Sequence, residues 1–112
     1  MRKHDLPRLR HILDAAEEAL SFTVSRSRQD LDIDRQLALS LVQLLQIIGE
    51  AARAVSSEFR TAHPEIPWKK MAGMRDFLIH RYFDVNLTTV WETVTEELPP
   101  LIRELKKVIP VR

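Results

Sequence analysis

Residues 37–49 read LALSLVQLLQIIG, and nine of the twelve positions from Leu37 to Ile48 are apolar. The stretch lacks the strict alternation of a half-buried strand. Carried onward, Leu37, Leu41, Leu44, Ile48, Ala51, Val55 and Phe59 fall three and four residues apart. That spacing predicts one helix from Ile33 to about Phe59, with Asp32 as its N-cap. Ala38, Leu39, Val42, Leu45 and Ile47 make a second face apolar as well. A helix apolar nearly all round is buried on several sides. In a chain of 112 residues it is then the central helix of a bundle or part of a dimer interface. The apolar run carries Ser40, Gln43 and Gln46 and is too short to cross a bilayer, so it reads as a core helix.

On the N-terminal side, Asp5 and Pro7 can start a helix whose Leu9, Ile12, Leu13, Ala16 and Leu20 form one apolar stripe. Its opposite face carries Arg8, Arg10, Asp14, Glu17 and Glu18, and the polar segment from Ser25 to Asp30 is the loop that follows. Beyond the central helix, residues 60–67 (RTAHPEIP) hold two prolines and break the chain. A third helix then runs from about Trp68 to His80 or Arg81, with Met71, Met74, Leu78 and Phe77 toward the core and Trp68 anchoring its start. Asn86 caps a fourth helix built on Leu87, Val90, Trp91, Val94 and Leu98, and Pro99-Pro100 ends or kinks it before a last helix from Leu101 to Ile109. The expected fold is all-α: one domain over residues 1–112, a four- to five-helix antiparallel up-down bundle with short connections.

Composition narrows the function. Lys and Arg number 17 against 16 Asp and Glu, a net charge of +1, so bulk charge does not draw this chain to nucleic acid. The absence of cysteine excludes disulfides, zinc knuckles and thiol catalysis. His4 and His11 share a helical face but lack a third ligand at metal-binding spacing, and no secretory signal follows the charged start MRKHDLPRLR. A cytoplasmic protein without a membrane contact is expected. Locally the charge is uneven: residues 60–81 hold five basic side chains and two acidic ones, a balance of +3. Residues 82–102 hold four acids and no base.

Within the basic stretch stands Arg75-Asp-Phe-Leu-Ile-His80-Arg-Tyr82. A guanidinium holds phosphate through a planar fork of donors, and an imidazole exchanges protons near neutral pH. Together they suit phosphodiester chemistry. On a helix, positions five apart point about 140° from one another and stand roughly 7.5 Å apart along the axis, so Arg75 and His80 do not form a tight pair on one face. Metal-free RNA cleavage needs a base for the ribose 2′-hydroxyl, a cation for the crowded phosphoryl group and an acid for the leaving 5′-oxygen. One histidine cannot be base and acid in the same step, whereas a symmetric dimer brings two. Spacing alone does not separate this reading from a chance arginine and histidine on one helix.

The blocks IIGEAARAVSSEF, HPEIPWKKMAGMRDFLIHRYFDV and VWETVTEELPPL resemble, in this order, the HepT-like branch of the HEPN superfamily, over about Leu37 to Leu105. Arg75, Asp76 and His80 fit the HEPN signature of an arginine, a polar residue, three further residues and a histidine. The polar slot is often asparagine in this branch. The resemblance implies a metal-independent endoribonuclease, free of any cofactor, that works as a homodimer and is the toxin of a type VII-like toxin–antitoxin pair. It implies that Arg75 binds phosphate, His80 is the acid–base residue, Asp76 orients them, and a cognate minimal nucleotidyltransferase antitoxin transfers AMP from ATP to Tyr82. AMP there would narrow the RNA groove and add negative charge to it. The alternative is a non-catalytic helical binding or scaffold subunit of a nucleotidyltransferase complex; a bare dimerisation module needs the motif to be coincidence.

Three further features stay open. Glu50 either pairs with Arg53 one turn on or walls the dimer groove; Gly49 permits a close helix approach. Lys69, Lys70 and Arg81 are RNA-backbone contacts or ordinary solvent charges. His63, before Pro64, is structural, and Trp68, Trp91, Phe59, Phe77 and Phe83 belong to core or interface.

Overall fold

Helix α3, Arg35–Ala54, lies between α1, Asp5–Phe22, and α5, Trp68–His80. A computed structural model describes residues 2–80 and 86–111, with the backbone alone at 76–80. Among these residues every regular element is helical. Short helices α2, Asp30–Ile33, and α4, Ser57–Ala62, flank α3. Helix α6, Leu87–Glu92, a π-helical turn, Thr93–Glu97, and α7, Leu98–Val108, follow one another without a break. The long rods are thus α1, α3, α5 and the α6–α7 unit, with α7 and the π turn packed on α1.

The buried set follows the apolar stripes. Leu9, Ile12 and Ala16 of α1 meet Leu41, Leu45 and Ile48 of α3, Met71 of α5 and Val90, Val94, Leu98 and Leu105 of the last rod, each at most 2% exposed. At 20 residues α3 is longer than the apolar run inside it and meets the length and composition of a membrane span, yet 56% of that window is buried against its neighbours. Trp68 fixes the start of α5: its indole N–H donates to the His63 carbonyl at 2.9 Å, and its ring meets Phe59 edge-on at 6.0 Å. Asn86 caps α6 as expected, accepting from the Thr89 N–H at 3.1 Å.

Three boundaries differ from the sequence reading. The N-cap of α3 is Asp34, not Asp32: Asp34 accepts the Leu37 N–H at 3.0 Å. The reason is α2, which winds its own turn to bury Leu31 and leaves Asp32 beside Arg28 at 3.1 Å. The Leu37 N–H, with Arg26 beside it, holds the Asp34 carboxyl below its ordinary value.

The central helix also stops at Ala54 instead of running to Phe59. Val55 and Ser56 are extended, and the Ser56 hydroxyl accepts the Phe59 N–H at 3.2 Å to start α4. What holds the break is Asp5. Its carboxylate, 1% exposed, accepts the Ser56 hydroxyl at 2.6 Å, the Ser56 N–H at 2.8 Å and the Arg2 N–H at 3.1 Å. A buried carboxylate with three donors is well satisfied, and it pins the α3–α4 corner to the start of α1.

Pro99 and Pro100, finally, do not begin a separate helix at Leu101. The rod runs through them because the π turn comes first. A proline ring collides with the carbonyl four residues earlier in an α-helix, and a wider turn at that point relieves the collision. Thr93 and Thr95 hydroxyls donate to the Thr89 and Trp91 carbonyls at 2.7 and 2.8 Å.

Candidate active site

Arg75 is placed by a glycine. A β-carbon built on Gly49 of α3 would stand 2.6 Å from the Arg75 backbone nitrogen, 2.7 Å from its Cβ and 3.1 Å from its Cα. No side chain fits there. The close helix approach expected at Gly49 is therefore the seating of α5 on α3, with the root of Arg75 at the contact point. Met71 and Met74 turn into the core from the same helix, at 0% and 8% exposure.

From that root the Arg75 side chain reaches the surface along the α3–α5 seam, 36% exposed. Its Nε lies 3.7 Å from Glu50 Oε1. The structure thus brings the Glu50 carboxylate, 57% exposed, to Arg75 on a neighbouring helix. An ion contact this long and this open to water contributes about 1 kcal/mol at most. A phosphate with two oxygens for the guanidinium fork would outcompete it.

The basic residues around Arg75 are arranged unevenly. Lys69 and Lys70 are both exposed on α5, and Lys70 is paired with Glu97 of the π turn. Gly73, also exposed, has nothing within 4 Å of where a β-carbon would sit. His80 ends α5, five residues beyond Arg75, and the two backbone positions are about 7.5 Å apart along the axis. The side chains of Asp76, Phe77, Leu78 and His80, and residues Arg81, Tyr82 and Phe83 altogether, lie outside the described residues.

Of the remaining sequence candidates, His4, just before α1, and His11 on that helix are exposed, and His63 stacks against Phe59 with ring centres 4.3 Å apart. His63 also faces Glu65 at 3.6 Å, which fits its structural reading. What periodicity could not supply was the partner of Gly49. The glycine itself was the signal, but the residue it admits lies on another helix.

Known proteins resemble this chain along nearly its whole length. The family model described as "Ribonuclease HepT-like" matches residues 12–108, which include α3, α5, α7 and the larger part of α1. A candidate RNase of Caldanaerobacter subterraneus subsp. tengcongensis is 42% identical over 103 residues, covering 92% of either chain. A protein of Thermococcus cleftensis, provisionally named ribonuclease HepT, is 37% identical over 107 residues, 96% of this chain and 97% of its own. A candidate RNase of Methanocaldococcus jannaschii is 36% identical over 110 residues, 97% of this chain and 91% of its own. No solved structure gives a significant match. With relatives this similar along nearly the whole length and a family model spanning the core and the Arg75 seam, the chain belongs to the HepT-like ribonuclease family.

Proposed function

We propose that this protein is a metal-independent endoribonuclease acting as a homodimer in the cytoplasm, and the toxin of a two-component toxin–antitoxin pair. The observation that carries the reading is the Arg75 guanidinium, rooted on Gly49 and half-open to solvent, inside a chain of the HepT-like family. In the proposed reaction one His80 takes the proton from the ribose 2′-hydroxyl, and the 2′-oxygen attacks phosphorus. The bond from phosphorus to the 5′-oxygen breaks, the His80 of the second copy gives that oxygen its proton, and the products are a 2′,3′-cyclic phosphate and a 5′-hydroxyl. Arg75 holds the phosphoryl oxygens as charge gathers on them, with Asp76 orienting the pair. Glu50 keeps the empty guanidinium from binding stray anions tightly, and Lys69, Lys70 and Arg81 draw the RNA backbone in.

Control is proposed at Tyr82. A minimal nucleotidyltransferase antitoxin would join the tyrosine oxygen to the α-phosphorus of ATP and release pyrophosphate. The deciding experiment is RNA cleavage by the unmodified protein in excess chelator, wild type beside His80→Ala. Cleavage by wild type alone, with cyclic ends, is the expected result. A folded, unmodified protein that leaves several RNAs intact would overturn the nuclease reading and favour the non-catalytic nucleotidyltransferase subunit. Incubation with the antitoxin and ATP should add the mass of one AMP to wild type and none to Tyr82→Phe.

A further inference from the structure

Exposed helix faces in this chain carry charge. On α1 the solvent side holds Arg8, Asp14, Glu17 and Glu18; on α7 it holds Arg103, Lys106 and Lys107. Helix α3 breaks the pattern. From residue 36 to residue 49 it has no charged side chain at all, although one side of it faces outward. That side presents Gln36, Leu39, Gln43 and Ile47, with Leu39 39% and Ile47 36% exposed. Beside it runs an open groove of about 790 Å³ between α3 and the end of α1, where Phe22 is 37% exposed. Apolar and amide side chains without charge are the composition of an interface centre, and not of a solvated face.

The charges that bound this face are of opposite sign. Arg35 stands at its beginning and Glu50 at its end, 15 residues or about 22 Å apart. Two copies of α3 laid antiparallel would set each Arg35 against the Glu50 of the other copy. The two-fold axis then passes beside Gln43, so that Gln43 meets its own copy and Leu39 meets Ile47. Pairing Arg35 with Glu50 on both sides of the axis favours this orientation over a parallel one, which would set Arg35 beside Arg35 and Glu50 beside Glu50. At the Glu50 end the face runs directly into the Arg75 seam, so an occupant seated here borders the candidate site.

We infer that the uncharged outer face of α3, centred on Gln43, is the contact through which a second copy of this chain docks, antiparallel and two-fold symmetric. The inference rests on the homodimer of the proposed nuclease and locates its contact. It also gives Glu50 a second cation, Arg35 of the other copy, which would draw the carboxylate away from Arg75 and leave the guanidinium to phosphate.

The test uses the symmetry. Masses in solution are measured by sedimentation for the wild type, Gln43→Glu, Gln43→Lys and an equal mixture of the two variants, with circular dichroism as the check on folding. Gln43 is exposed, so either variant should keep its helices. Wild type is expected at twice 13.1 kDa. Each variant alone sets like charges face to face and should weaken association by about a hundredfold. The mixture should return to the dimer mass. Wild type that dimerises while both variants do so equally well would overturn this contact and leave the homodimer standing. Monomeric wild type would overturn both the contact and the homodimer, and RNA cleavage by that monomer would still decide the nuclease reading separately. Loss of RNA binding by the Gln43 variants of a monomeric protein would assign the face to RNA instead.

Discussion

Gly49 and Gly73 are the two glycines of the chain, and their surroundings are opposite. At Gly49 a methyl group would press on the backbone of Arg75, whereas at Gly73 it would meet open space. Gly49→Ala must therefore part α3 from α5, which is expected to destabilise the fold by roughly 1–3 kcal/mol, as overpacking does. It should also reduce RNA cleavage, because the root of Arg75 moves with α5. Gly73→Ala adds a better helix former on an exposed face and should raise stability by up to about 1 kcal/mol. Thermal unfolding of the two variants beside wild type checks both signs; a stabilised Gly49→Ala would contradict the packing described here. The sequence suggested a close approach at Gly49 but not its neighbour, since Arg75 arrives from a helix that begins nineteen positions later. Arg75 itself was legible as a candidate through the motif that resembles the HepT-like family, since its spacing to His80 alone fits chance as well. Its contact with Glu50 was not, because an ion contact between helices leaves no mark on either helix's period.

The corner between α3 and α4 depends on one carboxylate. Burial raises the pKa of Asp5, but the Ser56 hydroxyl, the Ser56 N–H and the Arg2 N–H together outweigh it, and the group ends below its ordinary 3.8. A carboxyl with a depressed folded-state pKa stabilises the fold above the unfolded value and loses that contribution as pH falls through the folded one. Wild type should accordingly lose stability below about pH 3.8 through this group. Asp5→Asn should be less stable at neutral pH, and the gap between the two proteins should narrow on the acid side. Denaturant unfolding along a pH series reads this directly; a constant gap would remove Asp5 from the acid response. Ser56→Ala deletes both the α4 cap and a donor to Asp5, for an expected cost of about 1–2 kcal/mol. Periodicity could not foresee this corner, since Val55 and Phe59 stay buried on either side of it and the apolar spacing continues unbroken. The choice of Asp34 over Asp32 was hidden for a similar reason. Three acids alternate there, and only the burial of Leu31 decides which of them begins α3.

Taken together, the rods put the most apolar helix in the middle and leave its uncharged side facing out, next to the seam that holds Arg75. If two copies share one groove and both histidines act in it, mixing wild type with His80→Ala should lower cleavage below the share owed to the wild type present, since each hybrid keeps a single His80 where base and acid are both needed. Cleavage that simply follows the amount of wild type after verified exchange would mean that each copy works alone. The all-helical class and the order of the long helices could be read from apolar spacing, because each rod buries one continuous stripe. The joining of the last two helices could not, because two adjacent prolines ordinarily mark an end. That junction also restricts how the chain can change in length. A residue lost from the polar turns at positions 24–29 would shorten a surface connection and leave the rods in place. The same loss within Thr93–Glu97 would close the wide turn to an ordinary α turn and drive the Pro99 and Pro100 rings against the carbonyls four residues before them. Natural insertions and deletions in chains of this fold should therefore gather in the first connection and spare the wide turn before the prolines.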